Sequence, residues 1–156
     1  MKHVLGMAKS HLDLRGAKSA KLELDYLRLV YAVKEIRKRG DSAQGYLVVL
    51  TPQISYRVKQ WEHKYQGNKY VAVMDISLPS HVKNNLKQEK ASNLAGMIAG
   101  VTGGKAGRRS TANFSRETGE NALRRTILES EPNVQEVRDK NKFPFGIQWD
   151  FYGVVD

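Results

Sequence analysis

The sequence predicts one α/β domain spanning residues 1–156, with a small, mostly parallel or mixed sheet flanked by helices. Three observations carry that expectation. A long amphipathic pattern runs between residues 17 and 39, two short continuous apolar runs lie at 45–50 and 69–77, and a helix-length segment separates those runs. At 156 residues the chain has the size of a single domain and can bury a core without cross-links. No internal repeat or compositional break divides it.

The first helix is expected from about Ala17 to Arg39. Leu22, Tyr26, Leu29, Val33 and Ile36 recur at steps of four and three and so form one stripe, which Leu27, Val30 and Tyr31 widen. Arg37, Lys38 and Arg39 sit where the helix dipole favours cations, and Gly40 supplies a left-handed cap. That basic cluster therefore reads as a helix end before it reads as a nucleic-acid contact.

The run Gly45–Leu50 (GYLVVL) has the texture of a strand buried on both faces. Thr51 and Pro52 then suit the N-cap and first turn of a second helix. In that helix Ile54, Val58, Trp61 and Tyr65 repeat at four, three and four, up to Gly67. Ile54, Tyr56 and Val58 also alternate as in a strand, but the start and stop residues favour helix. A second buried strand is expected over Lys69–Ser77, which makes strand, helix and strand a right-handed βαβ unit. Another helix is expected near Pro79 or Ser80, carrying Val82 and Leu86.

From Ala91 to Asn113 small residues dominate. Ser92 to Val101 fits a helix with a small face at Gly96 and Gly100, whereas the glycines of Gly103–Ser110 (GGKAGRRS) predict a mobile basic loop over about 102–113. A helix from about Ser115 to Ser130 follows, with Leu123, Ile127 and Leu128 inward and Pro132 past its end. Phe145–Tyr152 alternates with period two, Ile147, Trp149 and Phe151 on one side, and reads as a half-buried strand at or near a sheet edge.

Composition narrows the function classes. There is no cysteine, which excludes disulfides, thiol catalysis and cysteine-ligated metal centres. The apolar start of the chain is broken by Gly6 and Lys9 and does not form a signal-peptide core. The uncharged run 91–104 is too poor in large apolar residues to cross a bilayer. A cytoplasmic protein is expected. The formal charge is +10 and is uneven. Residues 1–40 hold ten basic and four acidic groups, 41–83 five and three, 84–113 five and one, and 114–156 six and eight. Such an excess favours a polyanion, DNA or RNA first and an anionic membrane surface second, although charge of this size also serves solubility.

The glycine-rich segment fails as a phosphate-binding P-loop. Ala106 stands where Ser or Thr would hold magnesium, and Ala99 stands where the first glycine belongs. What remains are donors for a sugar–phosphate backbone: Lys105, Arg108 and Arg109, with Lys87 and Lys90 upstream. A βαβ unit also aligns the C-terminal ends of its strands, where α/β proteins bind ligands. That edge would carry Thr51, Asp75 and Ser77, followed by Ser80, His81 and Lys83.

Asp75 interrupts an apolar strand, so its carboxyl must be capped, paired or metal-bound if buried. Magnesium or manganese chemistry there would need a second carboxylate, with Glu62 or Asp150 as the candidates. Glu62 and Lys64 also have the Glu-x-Lys spacing of metal-dependent nucleases of the restriction-enzyme type, where both residues share one strand face. The four histidines, His3, His11, His63 and His81, show no metal-ligand spacing, and Trp61, Tyr65, Tyr70 and Trp149 fall at core periods.

The leading expectation is a non-enzymatic nucleic-acid-binding protein without cofactor, using a basic face and the Gly/Arg/Lys segment. The alternatives are a divalent-metal-dependent nuclease or other phosphate-handling enzyme centred on Asp75, and a protein-interaction or adaptor module. The oligomeric state is not legible.

Overall fold

The computed structural model describes residues 1–10, 16–50, 54–65, 70–76, 84 and 105–156; for Ser55 and residues 105–115 it describes the backbone only. The order is β1 (Lys2–Ser10), α1 (Ala17–Lys38), β2 (Ser42–Leu50), α2 (Ile54–Lys64), β3 (Val71–Asp75), α3 (Lys105–Ser130), β4 (Gln135–Glu136) and β5 (Phe151–Val155), with short 3-10 turns at Lys140–Lys142 and Pro144–Gly146. The five strands form one mixed sheet in the order β3-β2-β1-β5-β4. β1, β2 and β3 are parallel neighbours, while β5 runs antiparallel to β1 and β4 antiparallel to β5. The α/β expectation holds, and two strand–helix–strand units follow one another, β1-α1-β2 and β2-α2-β3.

Alternation along the strands splits the core into two layers. Leu5, Met7, Leu47 and Val49 meet α1 and α2 through Leu22, Tyr26, Leu29, Val33, Ile36, Ile54, Val58 and Trp61. Val4, Tyr46, Val48 and Phe151 point the other way, against Ala122, Leu123 and Ile127 of α3. The expected stripe of α1 is buried throughout, but Tyr31 is 56 % exposed, so the stripe is narrower on that side. Gly40 takes φ 99, the left-handed cap that its place after Arg39 requires.

The strand at β1 was not among the expected elements. Lys2, Gly6 and Lys9 break its apolar pattern, yet it is the central strand, paired on both sides. Gly6 is what lets α3 lie close over it: a Cβ there would stand 2.9 Å from Leu123 Cδ1 and 3.1 Å from Ile127 Cδ1. A second close approach is made by Gly119 of α3, whose added Cβ would meet Leu50 Cδ1 at 3.0 Å and Ala8 Cβ at 3.5 Å. The glycine that weakens a helix or strand in isolation here shortens the helix–sheet distance.

Three further elements differ from expectation. β3 is shorter than 69–77 and lies at the sheet edge, so Ala72 and Met74 are exposed and it is not buried on both faces. The C-terminal strand is Phe151–Val155 instead of 145–152. Phe145 at φ 62 and Gly146 at φ 65 fold the chain through a 3-10 turn, and Trp149 buries its side chain and Ile147 half-buries its own without strand pairing. Periodicity recorded which residues were inward but not that the ladder begins later.

Most consequential is α3. Its backbone is helical from Lys105, about ten residues before the expected start, so Lys105 to Asn113 belong to a helix and not to a loop. Gly107 is the one glycine in that stretch, a cost of about 1 kcal/mol relative to alanine, and its neighbours Lys, Ala and Arg are good helix formers. The helix continues into a well-packed half around Gly119 and Leu123, which supports propagation back towards Lys105. Leu128, expected inward, is half exposed. Thr51, Pro52, Gly67 and the helices expected near Pro79 and over Ser92–Val101 lie outside the described residues, apart from helical backbone at Asn84. Among the described residues, no helix is long and apolar enough to cross a membrane.

Candidate functional site

The expected ligand edge can be placed only in part. Asp75 is the last residue of β3, paired in register with Val49, and is half-buried. Thr51, Ser77, Ser80, His81, Lys83, Lys87 and Lys90 lie outside the described residues.

Neither proposed second carboxylate reaches Asp75. Asp150 accepts a hydrogen bond from the backbone N–H of Ala8 on β1, and β1 lies two strands from β3, about 10 Å away at the usual spacing. Glu62 lies near the end of α2, which returns from the end of β2 towards the start of β3, so it stands at the opposite end of that strand from Asp75. Glu62 and Lys64 are two apart on a helix and point in different directions, unlike two residues on one strand face. Lys64 instead pairs with Glu23 at 3.6 Å and lies 5.2 Å from the centre of the Tyr65 ring. Among the described residues no three His, Asp or Glu side chains are grouped to hold a metal ion.

The two basic helix segments have opposite characters. At the end of α1, each cation has a structural partner. Arg37 donates through Nε and Nη2 to the Ala43 carbonyl at 3.0 and 2.8 Å, Lys38 pairs with Glu35 at 2.9 Å, and Arg39 lies 5.1 Å over the Phe145 ring. These charges complement the negative end of the helix.

α3 is charged the other way round. Its first turn has no acid and contains Lys105 and Arg108; its last turn has no base and contains Glu129. From Lys105 to Arg116 there are four cations and no acid, the first being Glu117. Each cation in the first turn costs about 0.3–1 kcal/mol against the helix dipole. At 3.6 residues per turn, Lys105, Arg109 and Arg116 fall within about 40° of one another around the axis, so they share one side of the helix.

Arg116 leads from that stripe to a cleft of about 330 Å³ between α3, β4 and the segment 137–152. β4 ends after two residues; Val137 still donates to the Tyr152 carbonyl at 2.8 Å, after which the chain leaves the sheet. The cleft opens at this departure, lined by Arg116, Arg124, Arg138 and Lys140 together with Glu120, Glu136 and Asp150.

The acids orient the arginines. Glu136 accepts from Arg124 Nε at 3.5 Å and Nη2 at 3.0 Å, with Arg138 Nη2 3.9 Å away, and Glu120 accepts from Arg116 Nε at 3.1 Å. The hydrogen bond it donates to Glu136 holds the Arg124 guanidinium above its ordinary pKa, partly opposed by burial. Burial raises the Asp150 carboxyl from its ordinary pKa, against the opposing Ala8 N–H and the Lys9 charge. It stands where β1 ends beside the start of β5, its antiparallel neighbour.

A second polar network leaves no trace in the sequence pattern. His3 Nδ1 lies 2.9 Å from the Tyr152 hydroxyl and Nε2 3.2 Å from Asp41 Oδ2, tying β1, β5 and the start of β2 together. The sequence separations of 149 and 38 residues hide it. Arg116, Arg124, Arg138 and Lys140 were missed for another reason: they belong to the net-acidic segment 114–156, where whole-segment charge conceals a local cluster. The available signal was the seven-residue step from Arg109 to Arg116. The chain matches no protein-family profile, no curated protein and no solved structure in comparison with known proteins.

Proposed function

We propose that this is a non-enzymatic, cytoplasmic nucleic-acid-binding protein that holds a sugar–phosphate backbone along the cationic half of α3 and the adjoining cleft. The carrying observation is the charge order of α3. Four cations without an intervening acid occupy its N-terminal half, and the two in the first turn, Lys105 and Arg108, oppose the helix dipole instead of stabilising it. A polyanion alongside removes that conflict. Solubility alone needs no such arrangement, because the same charges elsewhere would disperse the protein equally well. The cleft continues the surface with arginines held in position by Glu120 and Glu136, and Arg is suited to phosphate through its planar fork of donors.

Binding of labelled DNA and RNA oligonucleotides over a salt series tests this reading. Affinity falls steeply and log-linearly with salt as neutralised phosphates release counterions. No binding at low salt, or affinity indifferent to salt, removes the reading.

A further inference from the structure

The cleft has a shape that the cationic stripe does not. A backbone can be tracked by a row of charges on a convex helix, but a concave space of about 330 Å³ is at the lower end of the range for small-molecule pockets and matches one compact ligand. Its polar side combines Arg116, Arg124, Arg138 and Lys140 with the carboxyl groups of Glu120, Glu136 and Asp150, of which Glu120 and Glu136 are engaged by Arg116 and Arg124. Glu136 engages Nε and Nη2 of Arg124 and thereby fixes the plane of the fork while leaving other N–H donors of the guanidinium available. Arg138 and Lys140 are exposed at the mouth. The apolar side is aromatic: Phe143 is half-buried in the lining with its ring 5.9 Å from that of Tyr152 in a T-shaped contact, and Trp149, also in the lining, donates its indole N–H to the Pro144 carbonyl at 3.2 Å. Phosphate donors on one wall and an aromatic ring on the other are the two halves of nucleotide recognition.

We propose that this cleft takes one unpaired nucleotide of a DNA or RNA strand, its phosphate against Arg124, Arg138 and Lys140 and its base against Phe143. The inference rests on the nucleic-acid reading above and deepens it. A base within a duplex is paired and stacked and enters such a cleft only by being flipped out, whereas a single strand offers its bases directly. The protein therefore prefers single strands, and the preference resides in the cleft and not in the stripe.

The test compares a single-stranded oligonucleotide, its duplex and the same strand with abasic positions, each as DNA and as RNA, by anisotropy at low salt. The single strand binds roughly tenfold or more tightly than the duplex, the margin expected from one stacked base, and the abasic strand loses that margin. Trp149 fluorescence, read in a Trp61→Phe chain, changes on addition of the single strand. Phe143→Ala lowers single-strand affinity roughly five- to hundredfold, the effect of removing one base–aromatic stack, and brings the single-strand to duplex ratio towards one. Should that variant not fold, Arg138→Ala with Lys140→Ala supplies the same comparison from exposed positions. Equal, salt-dependent affinity for single strand, duplex and abasic strand overturns the cleft proposal while leaving the nucleic-acid reading standing. Failure to bind any of them at low salt overturns both.

Discussion

Replacing Lys105, Arg108 and Arg109 together with alanine should move stability and binding in opposite directions. If these residues formed a loop, the change would leave the melting temperature where it was, because a loop contributes little to the core. They instead open α3. Lys105 and Arg108 stand in its first turn, so removing them relieves about 0.6–2 kcal/mol of unfavourable interaction with the helix dipole at low ionic strength, and alanine adds a small gain in helix propensity. For a domain of this size each kcal/mol shifts Tm by about 2–4 °C, giving a rise of roughly 1–8 °C that shrinks as salt screens the charges.

The same variant loses three cations that would neutralise phosphates. The slope of log affinity against log salt should therefore become shallower by up to about 2.7 on duplex DNA and about 2.1 on a single strand. Calorimetry at low and high salt reads the first quantity, and a fluorescence titration over the same salts reads the second. A fall in Tm would refute the dipole argument, since it would mean that these side chains make net stabilising contacts. A raised Tm with an unchanged slope would show that the cations are misplaced for the helix but not for the sake of a polyanion.

Two further outcomes follow from the packing and titration of the same region. Gly6→Ala should destabilise the protein by roughly 1–3 kcal/mol through overpacking against α3, because the new Cβ meets Leu123 and Ile127 at 2.9–3.1 Å. In urea unfolding, Leu123→Ala should then cost less in the Gly6→Ala background than alone; strictly additive losses would mean that the two sites do not share the space. Asp150→Asn should raise stability at neutral pH. The folded-state pKa of Asp150 lies above its unfolded value, so its contribution favours folding below the unfolded pKa near 3.8 and that support is lost as pH rises through the folded pKa. Asparagine retains an oxygen for the Ala8 N–H without the buried charge. The gain should shrink as pH falls and vanish well below the unfolded pKa of 3.8, where the aspartate is protonated in both states; a loss of stability at pH 7 would show that the ionised form is the one this site prefers.

The parts of the fold legible in sequence were those where one local pattern met one environment. The stripe of α1 and the apolar run of β2 were such cases, since each packs against the core over most of its length. β1 escaped because its two faces meet different neighbours. Leu5 and Met7 face α1 and α2, whereas Gly6 yields its place to α3, and a glycine between two lysines reads as interruption when the helix that fills it comes more than a hundred residues later. The start of α3 escaped for a related reason. Glycine lowers local helix propensity, but propensity is a weak prior against propagation from a packed half-helix, and the packing at Gly119, Leu123 and Ile127 is tertiary information.

Charge has the same local limit, and it bears directly on where a polyanion can sit. The segment 114–156 is net acidic, yet it supplies Arg116, Arg124, Arg138 and Lys140 to one cleft. Its acids also orient them: Glu136 holds Arg124 and Glu120 pairs with Arg116. Conversely, Arg37, Lys38 and Arg39 belong to the most basic stretch of the chain and are engaged by Ala43, Glu35 and Phe145. Net charge by segment therefore does not separate cations that cap a helix from cations that line a cleft. What distinguishes them is whether a cation satisfies the fold or opposes it, and on that criterion the start of α3 is the better place to look for the partner.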